Sequence, residues 1–434
     1  MERTWVSQLP SLIGEDVILE GWVHKIRELG GINFVILRDR TGMVQAVFKK
    51  TETVSSLKNE MVIRIRGRVV SEERAPGGIE VHADEPITIV GNVYYGPYLP
   101  LEINNQRAFD KTDLNSILEY RPLSLRNPKI QAIFKIQSEL IWSFREFLRN
   151  QSFIEIFTPK IVASGTEGGA ELFKVDYFEK VAYLAQSPQF YKQIMVGVFE
   201  RVFEIGHVYR AEKHDTSRHL NEYVSLDYEM GFIESEQDVI NLEIELLKHM
   251  FSHIEEVCSR ELEIWEAHVP VFDTIPQIRL EDAQRLLTEK YGKTSNIKGD
   301  LDPESEQLIC QYFKEHMGTE LVYITHYPVS KRPMYTMPDP DNPELSRSFD
   351  LLYRGLEITT GSQRIHDYAM LVDNIRSVGL EPKDFEFYLQ VFRYGMPPHG
   401  GLAIGIERLT KQLLDLPNIR MTALFPRDRT RITP

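Results

Sequence analysis

The first part of the chain alternates apolar and polar positions in short runs. The runs "VILEGWVHKI", "INFVILRD", "MVQAVFKK", "MVIRIRGRVV" and "IEVHADEPITIV" are rich in β-branched residues. Turn sequences such as "ELGG", "DRTG" and "APGG" separate them. Five short strands joined by tight turns between residues 17 and 95 predict a small β-barrel, although strand counting alone also fits a β-sandwich.

The barrel domain is predicted at residues 1–95. A barrel of five strands is usually an OB-fold, and this is the fold that we expect here. Residues 96–130 are polar and interrupted by prolines, so we interpret them as a linker or hinge.

The remaining residues, 131–434, combine helical and strand-like patterns. Near their start, one amphipathic helix is predicted by apolar residues close to helical spacing, namely Ile133, Ile136, Ile141, Phe144 and Leu148. Strand-like runs such as "YVSLDYEMGFI" and "RSFDLLYRGLEIT" alternate with helical runs such as "IGIERLTKQLLDL". This mixture predicts an α+β domain built on a mostly antiparallel sheet flanked by helices.

One stretch of concentrated charge, "VYRAEKHDTSRHLNEY" at residues 208–223, lies between two strand-like runs. If those runs pair as antiparallel strands, alternation puts Ser225, Asp227 and Glu229 on one face and their apolar neighbours on the other. A solvated sheet face would show the same alternation. The arginines in the connecting loop favour a polyphosphate site, because the forked guanidinium matches phosphate oxygens.

Two other segments have a similar character. "GLEITTGSQRIHD" ends a strand-like run and contains Glu357, Thr360, Gln363 and Arg364. "GMPPHGGLAIGIERLTKQLLDL" is a Gly-rich turn followed by a helical pattern with Arg408 just inside it, which is weak evidence for phosphate binding. Neither segment is a GxxxxGK[ST] loop or a GxGxxG motif after a parallel strand, so ATP binding of the P-loop or Rossmann kind is disfavoured.

Composition narrows the class of protein. The net charge of −14 argues against nonspecific coating of nucleic acid, but a local basic face can still bind a specific one. Cys258 and Cys310 are far apart without CxxC spacing, which disfavours a disulfide framework or a thiolate zinc site. No apolar run approaches the roughly 18 residues of a membrane span, and no signal pattern opens the chain. The expected compartment is the cytoplasm.

Three motifs in order resemble those of class II aminoacyl-tRNA synthetases of the aspartyl, asparaginyl and lysyl subgroup. "FIEIFTPKI" with Pro159 resembles motif 1, "VYRAEKHDTSRHLNEYVSLDYEM" motif 2, and "GLAIGIERL" motif 3. The resemblance covers nearly the whole chain and implies an OB-fold anticodon-binding domain at 1–95, a hinge at 96–130 and a class II catalytic domain at 131–434. It also implies a homodimer formed through motif 1. The compact length and the ending "LFPRDRTRITP" look like the archaeal and eukaryotic type of aspartyl enzyme.

The resemblance assigns the charged stretch to ATP. Arg210 would hold the α-phosphate, and Glu212 would help to place the adenylate. Arg218 and His219 would hold the terminal phosphates, while Arg408 would clamp the bent triphosphate from the far side. Arg210, Glu212 and Arg408 are thus the implied catalytic set.

The implied cofactor is Mg²⁺, which Glu357 would bind on the phosphates. Thr360 stands where many relatives have serine, and its hydroxyl would keep the metal contact. The implied chemistry is attack of an amino-acid carboxylate on the α-phosphorus, followed by attack of a tRNA hydroxyl on the acyl carbon. Neither step needs a protein nucleophile, so positioning and charge neutralisation are sufficient.

The resemblance also implies aspartate as the amino acid. Family members specific for aspartate have cations where Lys192 and Arg364 stand, and two cations can pair with a side-chain carboxylate. Asparagine enzymes lack the lysine, because a buried cation facing a neutral amide would be uncompensated. A surface lysine on a helix is the alternative for Lys192. The other implied amino-acid contacts are Ser187, Gln189 and Asp227 around the α-amino group and Glu167 on a Gly-rich flap.

The barrel is expected to bind the anticodon. Phe34 resembles the aromatic residue that stacks on the middle base, and Gln45 the amide that hydrogen-bonds to its edge. Arg27 would help to hold the backbone, and Glu80 would contact the first base. The alternative for Phe34 is an ordinary aromatic residue of the barrel core.

Two positions bear on which tRNA is charged. Archaeal-type enzymes restricted to tRNA(Asp) tend to have Trp and Lys where this chain has His24 and Pro86, whereas relaxed enzymes tend to have His and Pro. The sequence therefore favours an enzyme that charges both tRNA(Asp) and tRNA(Asn), with a downstream amidotransferase converting Asp-tRNA(Asn). The alternatives are an enzyme restricted to tRNA(Asp), an asparaginyl enzyme, an ATP-dependent amino-acid ligase paralogue and a non-catalytic RNA-binding paralogue.

Overall fold

The computed structural model describes residues 2–49, 52–84, 87–96, 98–165, 172–213 and 216–434. The chain divides into two compact units, Met1–Asn127 and Pro128–Pro434. Among the described residues, none of the helices combines the length and apolar character needed to cross a membrane.

The first unit is a β-barrel with short helices. Its strands are β1 (Asp16–Leu29), β2 (Ile32–Arg38), β3 (Met43–Lys49), β4 (Val62–Ser71), β5 (Ile79–Ala83) and β6 (Thr88–Gly91), and its helices are α1 (Glu52–Ser55), α2 (Gln106–Phe109), α3 (Leu114–Glu119) and α4 (Arg121–Ser124). The strands follow the order β1-β2-β3-β5-β4, and β4 pairs back with β1 to close the barrel, while β6 adds to β4. Alternate residues such as Val35 and Leu37 fill its core. The predicted five-stranded OB-fold is confirmed.

In the segment predicted as a hinge, residues 96–130, the described residues 98–127 fold within the barrel unit. Its apolar residues Ile103 and Phe109 are buried. Asn127 Nδ2 donates to Ile103 O over 2.9 Å, and Arg126 Nη1 donates to Glu60 Oε2 over 3.1 Å. Pro122 lies in the first turn of α4, a position that proline favours, so here it marks a helix start rather than an extended linker.

The second unit is an α+β domain. Its strands are β7 (Ile154–Glu155), β8 (Ile161–Val162), β9 (Lys174–Tyr177), β10 (Lys180–Leu184), β11 (Arg201–Tyr209), β12 (Glu222–Gly231), β13 (Gln277–Arg279), β14 (Leu321–Thr325), β15 (Ser348–Tyr353), β16 (Leu356–Arg364) and β17 (His399–Gly405). Its helices are α5 (Pro128–Asn150), α6 (Gln189–Phe199), α7 (Glu236–Val257), α8 (Ser259–Ile264), α9 (Leu280–Tyr291), α10 (Pro303–Met317), α11 (Tyr368–Ser377), α12 (Glu386–Phe392) and α13 (Ile406–Leu413).

The main sheet has the order β13-β14-β15-β16-β17-β12-β11-β7. Only its two outermost pairs, β7–β11 and β13–β14, are parallel among the described strands, so the predicted mostly antiparallel sheet is confirmed. A second sheet has the order β8-β10-β9.

Helices α5 and α7 pack together, and α7 covers one face of the main sheet. The predicted amphipathic helix is α5, with Leu140 rather than Ile141 fully buried. Tyr228 of β12 points towards α7, where its hydroxyl donates to Val239 O over 2.8 Å. Because side chains alternate along a strand, Asp227 and Glu229 project from the opposite face of the sheet.

Candidate active site

Two adjoining cavities lie over β12, β16 and β17. We call the first the arginine cavity, since Arg210, Arg218 and Arg408 line it, and the second the lysine cavity, since Lys192 lines it. Residues that line both are Arg210, Tyr223, Ser225, Glu357, Thr360 and Ala403. The shared lining makes the two cavities one continuous cleft.

All of the residues assigned to ATP and its metal from the sequence converge on the arginine cavity, namely Arg210, Glu212, Arg218, His219, Glu357, Thr360 and Arg408. Arg408, in the first turn of α13, donates through Nη1 to Glu357 O over 3.0 Å and lies 3.2 Å from Glu357 Oε1. Thr360 Oγ1 donates to the same carboxylate oxygen over 3.1 Å. The cavity thus presents guanidiniums on several sides of one carboxylate, an arrangement suited to a polyphosphate and its cation.

The loop between β11 and β12 is held by Asn221. Its Nδ2 donates to Arg210 O over 2.7 Å and to Glu212 O over 3.1 Å. Its backbone N–H donates to Arg427 O over 2.8 Å in the C-terminal segment. Asn221 therefore fixes the backbone of two residues that line the arginine cavity, a role that its place in a polar loop did not reveal.

Glu306 of α10 pairs with Arg218 at the edge of the arginine cavity. Burial raises the pKa of Glu306 to about 7, with Arg218 opposing that rise and the Glu357 carboxylate adding to it. Sequence reasoning missed this residue, because one glutamate in an amphipathic helix carries no distinguishing signal.

Oxygen donors of the kind that Mg²⁺ binds meet at β15 and β16. Asp350 lies opposite Thr360 in the β15–β16 pairing. Burial works to raise the pKa of Glu357, but the Arg408 and Arg332 guanidiniums outweigh it and hold the pKa below its ordinary value. An ionised carboxylate, a hydroxyl and a second carboxylate beside a phosphate-type cavity fit a hard cation. Asp350 was not predicted.

The lysine cavity contains the residues predicted to bind the amino acid. Ser187, Gln189, Lys192 and Arg364 line it, whereas Asp227 lies behind Lys192. Lys192 is 1% exposed, so it is not a surface lysine. Its Nζ lies 3.0 Å from Asp227 Oδ1, and it donates to Leu402 O over 3.0 Å.

Glu229 links the two cations of this cavity. Its Oε2 lies 3.3 Å from Lys192 Nζ, and its Oε1 accepts from Arg364 Nε over 2.8 Å. Burial works to raise the pKa of Glu229, but Arg364 and Lys192 outweigh it and keep the carboxyl ionised. Gly401 makes this approach possible, because a Cβ there would clash with the Glu229 carboxylate.

This arrangement corrects the physical argument made from the sequence. Lys192 is not an uncompensated cation, since Asp227 and Glu229 both neutralise it. An amino acid can bind by exchange, with its ammonium taking the lysine's place beside a carboxylate and its own carboxylate pairing with the lysine. Glu229 was foreseeable, because it shares the β12 face with Asp227. Glu167, the predicted flap residue, lies outside the described residues.

In the barrel, the residues predicted to hold the anticodon lie on adjoining strands. Arg27 pairs with Phe34, and Gln45 pairs with Glu80. Phe34 is half-buried between two inward-facing residues of β2, so it projects from the barrel and is not a core aromatic. Gln45 Nε2 donates to Glu80 Oε2 over 3.0 Å, and Glu80 Oε1 lies 2.8 Å from His82 Nε2. Glu80 thus orients the Gln45 amide.

His24 lies in a bulge of β1 and is 8% exposed. Its Nδ1 accepts from Arg38 Nη1 over 3.0 Å, and Arg38 Nη2 donates to Glu60 Oε2 over 2.8 Å. Burial, helped by the Arg38 charge, lowers the pKa of His24 to about 4, so the ring is neutral at physiological pH. Pro86, the second position linked to tRNA choice, lies outside the described residues.

The sequence is similar over nearly its whole length to those of known aspartate–tRNA ligases. The chain is 48% identical over 440 residues to an aspartate–tRNA(Asp/Asn) ligase of Deinococcus radiodurans, covering 100% of this chain and 99% of that protein. It is 48% identical over 436 residues to the Thermus thermophilus protein of the same name, covering 100% of both. An aspartate–tRNA(Asp) ligase of Pyrococcus abyssi is 43% identical over 98% of this chain and 97% of its own length.

Among solved structures, the asparaginyl-tRNA synthetase of Pyrococcus horikoshii in complex with asparaginyl-adenylate superposes with a TM-score of 0.92 at 34% identity, over 100% of both chains. The profile of OB-fold nucleic acid binding domains matches residues 17–90. The profile of tRNA synthetases class II (D, K and N) matches residues 113–429. The resemblance noted in the sequence is therefore confirmed: the chain belongs to the class II tRNA synthetases of the D, K and N group.

Proposed function

We propose that this chain attaches L-aspartate to tRNA(Asp) and tRNA(Asn), using ATP and passing through aspartyl-adenylate. The observation that carries the proposal is the continuity of the cleft. One end has the guanidiniums of Arg210 and Arg408 around Glu357, and the other has the paired cations Lys192 and Arg364. A nucleotide and a dicarboxylic amino acid bound in one cleft can react with each other.

In the first step the α-carboxylate of aspartate attacks the α-phosphorus of ATP, and pyrophosphate leaves. Arg210 neutralises charge on the α-phosphate, while Arg218 and Arg408 hold the leaving phosphates. Glu357, Thr360 and Asp350 are the residues that would hold Mg²⁺, which when bound neutralises phosphate charge. In the second step the terminal hydroxyl of the tRNA attacks the acyl carbon and AMP leaves.

Aspartate is favoured over asparagine because the lysine cavity offers two buried cations to a side-chain carboxylate. The curated relatives named above are aspartate ligases, which supports the same choice. Asparagine has no side-chain carboxylate to exchange into the Lys192 pair, which argues against an asparaginyl enzyme, although a solved structure of that kind shares the fold. The intact arginine cavity argues against a non-catalytic paralogue, and the barrel argues against a ligase without tRNA.

Relaxed tRNA choice is supported by His24 and by the names of the two relatives at 48% identity. The rival is an enzyme restricted to tRNA(Asp), the name given to the Pyrococcus abyssi relative. Aminoacylation of purified tRNA(Asp) and tRNA(Asn) transcripts with labelled aspartate separates the two. The proposal expects both transcripts to be charged; a product with tRNA(Asp) alone would reject relaxed choice while leaving aspartate activation in place.

We further propose that the chain acts as a homodimer in the cytoplasm, with an amidotransferase converting Asp-tRNA(Asn). Exposed apolar side chains near motif 1 support a dimer, since Phe157 is 83% exposed and Trp142 52% exposed. Light scattering is expected to give twice the 50.4 kDa of one chain. A monomer at micromolar concentration would contradict this part.

A further inference from the structure

Behind the lysine cavity, Gln189 belongs to a hydrogen-bond network of buried polar side chains. Gln189 Nε2 donates to Gln193 Oε1 over 2.9 Å, and Gln193 Nε2 lies 2.8 Å from His399 Nε2. The Tyr388 hydroxyl also donates to Gln193 Oε1, over 3.1 Å. Gln193, His399 and Tyr388 are each 0% exposed and do not line the cavity, so the proposed aspartate chemistry leaves them without a role.

The direction of every hydrogen bond in this network follows from His399. Its Nδ1 lies 2.9 Å from Pro397 O, and because a carbonyl only accepts, Nδ1 carries the hydrogen. Burial lowers the pKa of His399 to about 4, so the ring is neutral and Nε2 is an acceptor. Gln193 must then turn its NH₂ towards His399 and its oxygen towards Gln189.

At the other end of the network, Gln189 contacts Arg364, which is predicted to bind the amino acid. With its NH₂ committed to Gln193, Gln189 presents Oε1 to Arg364 Nη2, which donates to it over 3.3 Å. In the reversed orientation the Gln189 NH₂ would face the guanidinium, placing donor against donor. The Arg364 guanidinium also donates to Gly401 O over 2.9 Å and to Glu229 Oε1 over 2.8 Å, so Gln189 is one of three acceptors that together fix its plane.

We propose that Gln193 and His399 are positioning residues for amino-acid selection: they lock the Gln189 amide in the orientation that holds Arg364 against the side-chain carboxylate of the substrate. This inference rests on the proposed function, since it concerns the same pocket. Neither residue touches the substrate. Their effect passes through Gln189.

The test compares variants in amino-acid-dependent ATP–pyrophosphate exchange. Gln193→Met and His399→Phe interrupt the hydrogen-bond network, whereas His399→Gln retains an acceptor for Gln193. Tyr388→Phe is the matched control. It removes a buried hydroxyl that donates to Gln193 but leaves the hydrogen bonds that link His399, Gln193 and Gln189 in place. Gln193→Met and His399→Phe are expected to raise KM for aspartate about 10-fold and to reduce the preference for aspartate over asparagine by a similar factor. In both variants KM for ATP is expected to change less than about twofold. His399→Gln and Tyr388→Phe are expected to stay within about threefold of the parent in all three quantities.

A merely structural role would move the KM for ATP together with that for aspartate, or would affect Tyr388→Phe as strongly as Gln193→Met; either result overturns the proposal. Should Gln193→Met or His399→Phe fail to fold, His399→Gln decides, because retention of the acceptor must then restore both folding and aspartate KM. If the parent enzyme shows no aspartate-dependent exchange, the proposed function fails. If it does show exchange and the variants match it, only the positioning role fails.

Discussion

Lys192 Nζ lies 3.0 Å from Asp227 Oδ1, and both side chains are 1% exposed. The pair is formed within the protein itself, with Glu229 as a second carboxylate for the lysine. A buried pair of this kind is stable only while both partners are present, because each one compensates the desolvation of the other. Because the α-carboxylate is directed at the α-phosphorus, aspartate can exchange with both partners through its ammonium and its side-chain carboxylate, whereas asparagine has no second carboxylate to offer.

Lys192→Leu is expected to lower kcat/KM for aspartate by about 100-fold or more, because it removes a carboxylate partner and leaves Asp227 buried without its cation. The KM for ATP is expected to change less than about threefold. Pyrophosphate exchange at varied aspartate and varied ATP gives both numbers.

The control is Lys180→Leu, a change of the same chemistry at an exposed position of β10. It is expected to leave both substrate requirements unchanged. Similar losses towards aspartate and ATP in Lys192→Leu would contradict a specific role in the lysine cavity and would indicate general damage to the fold.

Thr360→Val is expected to raise the Mg²⁺ concentration for half-maximal exchange about 10-fold, because it removes an oxygen donor and the hydrogen bond to Glu357. Thr360→Ser keeps the hydroxyl and serves as the control, with an expected change of less than about twofold. A magnesium titration at saturating ATP makes the comparison. Identical titrations for the two variants would remove Thr360 from the metal site.

Sequence patterns were sufficient to predict those features of the fold and the site that depend on neighbouring residues alone. Alternation along β12 placed Asp227 and Glu229 on one face, and strand spacing predicted the closed barrel. The Arg364–Glu229 contact needs the register of β16, β17 and β12, which no single strand encodes. The short helices between residues 106 and 124 were missed, since the prolines and polar residues of the surrounding segment are equally typical of a linker.

Glu306 and Asp350 show a second reason for the misses. Glu306 is one of several acids at the start of α10, and Asp350 lies in an apolar strand, so neither stands out in its local sequence. Each is distinguished only by a partner that is distant in the sequence. Arg218 supplies that partner for Glu306, and Arg332 Nη2 supplies it for Asp350 over 2.7 Å. Roles that depend on pairing across the fold have no counterpart in local sequence.

His24→Trp combined with Pro86→Lys is expected to lower kcat/KM for charging tRNA(Asn) by about 10-fold while changing that for tRNA(Asp) less than about threefold. The reason is that an indole and an ammonium would replace a small neutral ring and an apolar residue at the two positions where the resemblance predicts selection by the third anticodon base. Aminoacylation kinetics with both transcripts give the ratio.

His24→Gln is the control for loss of the Arg38 contact, since its amide oxygen can still accept from the guanidinium. It is expected to leave the ratio of the two tRNAs unchanged. Equal loss with both tRNAs in the double variant would mean that the barrel was damaged rather than its selectivity altered.

Glu243 of α7 gives the fold a pH dependence. It is fully buried with Tyr323 donating to it over 2.9 Å, and burial raises its pKa from 4.5 to about 7. The folded state therefore binds a proton more tightly than the unfolded state, so the stabilisation is present below pH 4.5 and is lost as the pH rises through about 7. The loss is on the order of 3 kcal/mol.

Glu243→Gln cannot ionise and is expected to lose less thermal stability than the parent between pH 5 and pH 8. Glu245→Gln, at an exposed site on the same helix, is the control and is expected to follow the parent. Melting curves at the two pH values measure the difference. Parallel loss in Glu243→Gln and the parent would show that this carboxyl is not the source.

The pairing of two buried cations with a substrate carboxylate is tested most directly by ATP–pyrophosphate exchange with aspartate, asparagine and lysine supplied separately at equal concentration. Exchange with aspartate at a rate at least about 100-fold above that with either of the others is the expected result. Exchange driven as well by asparagine as by aspartate would contradict the account.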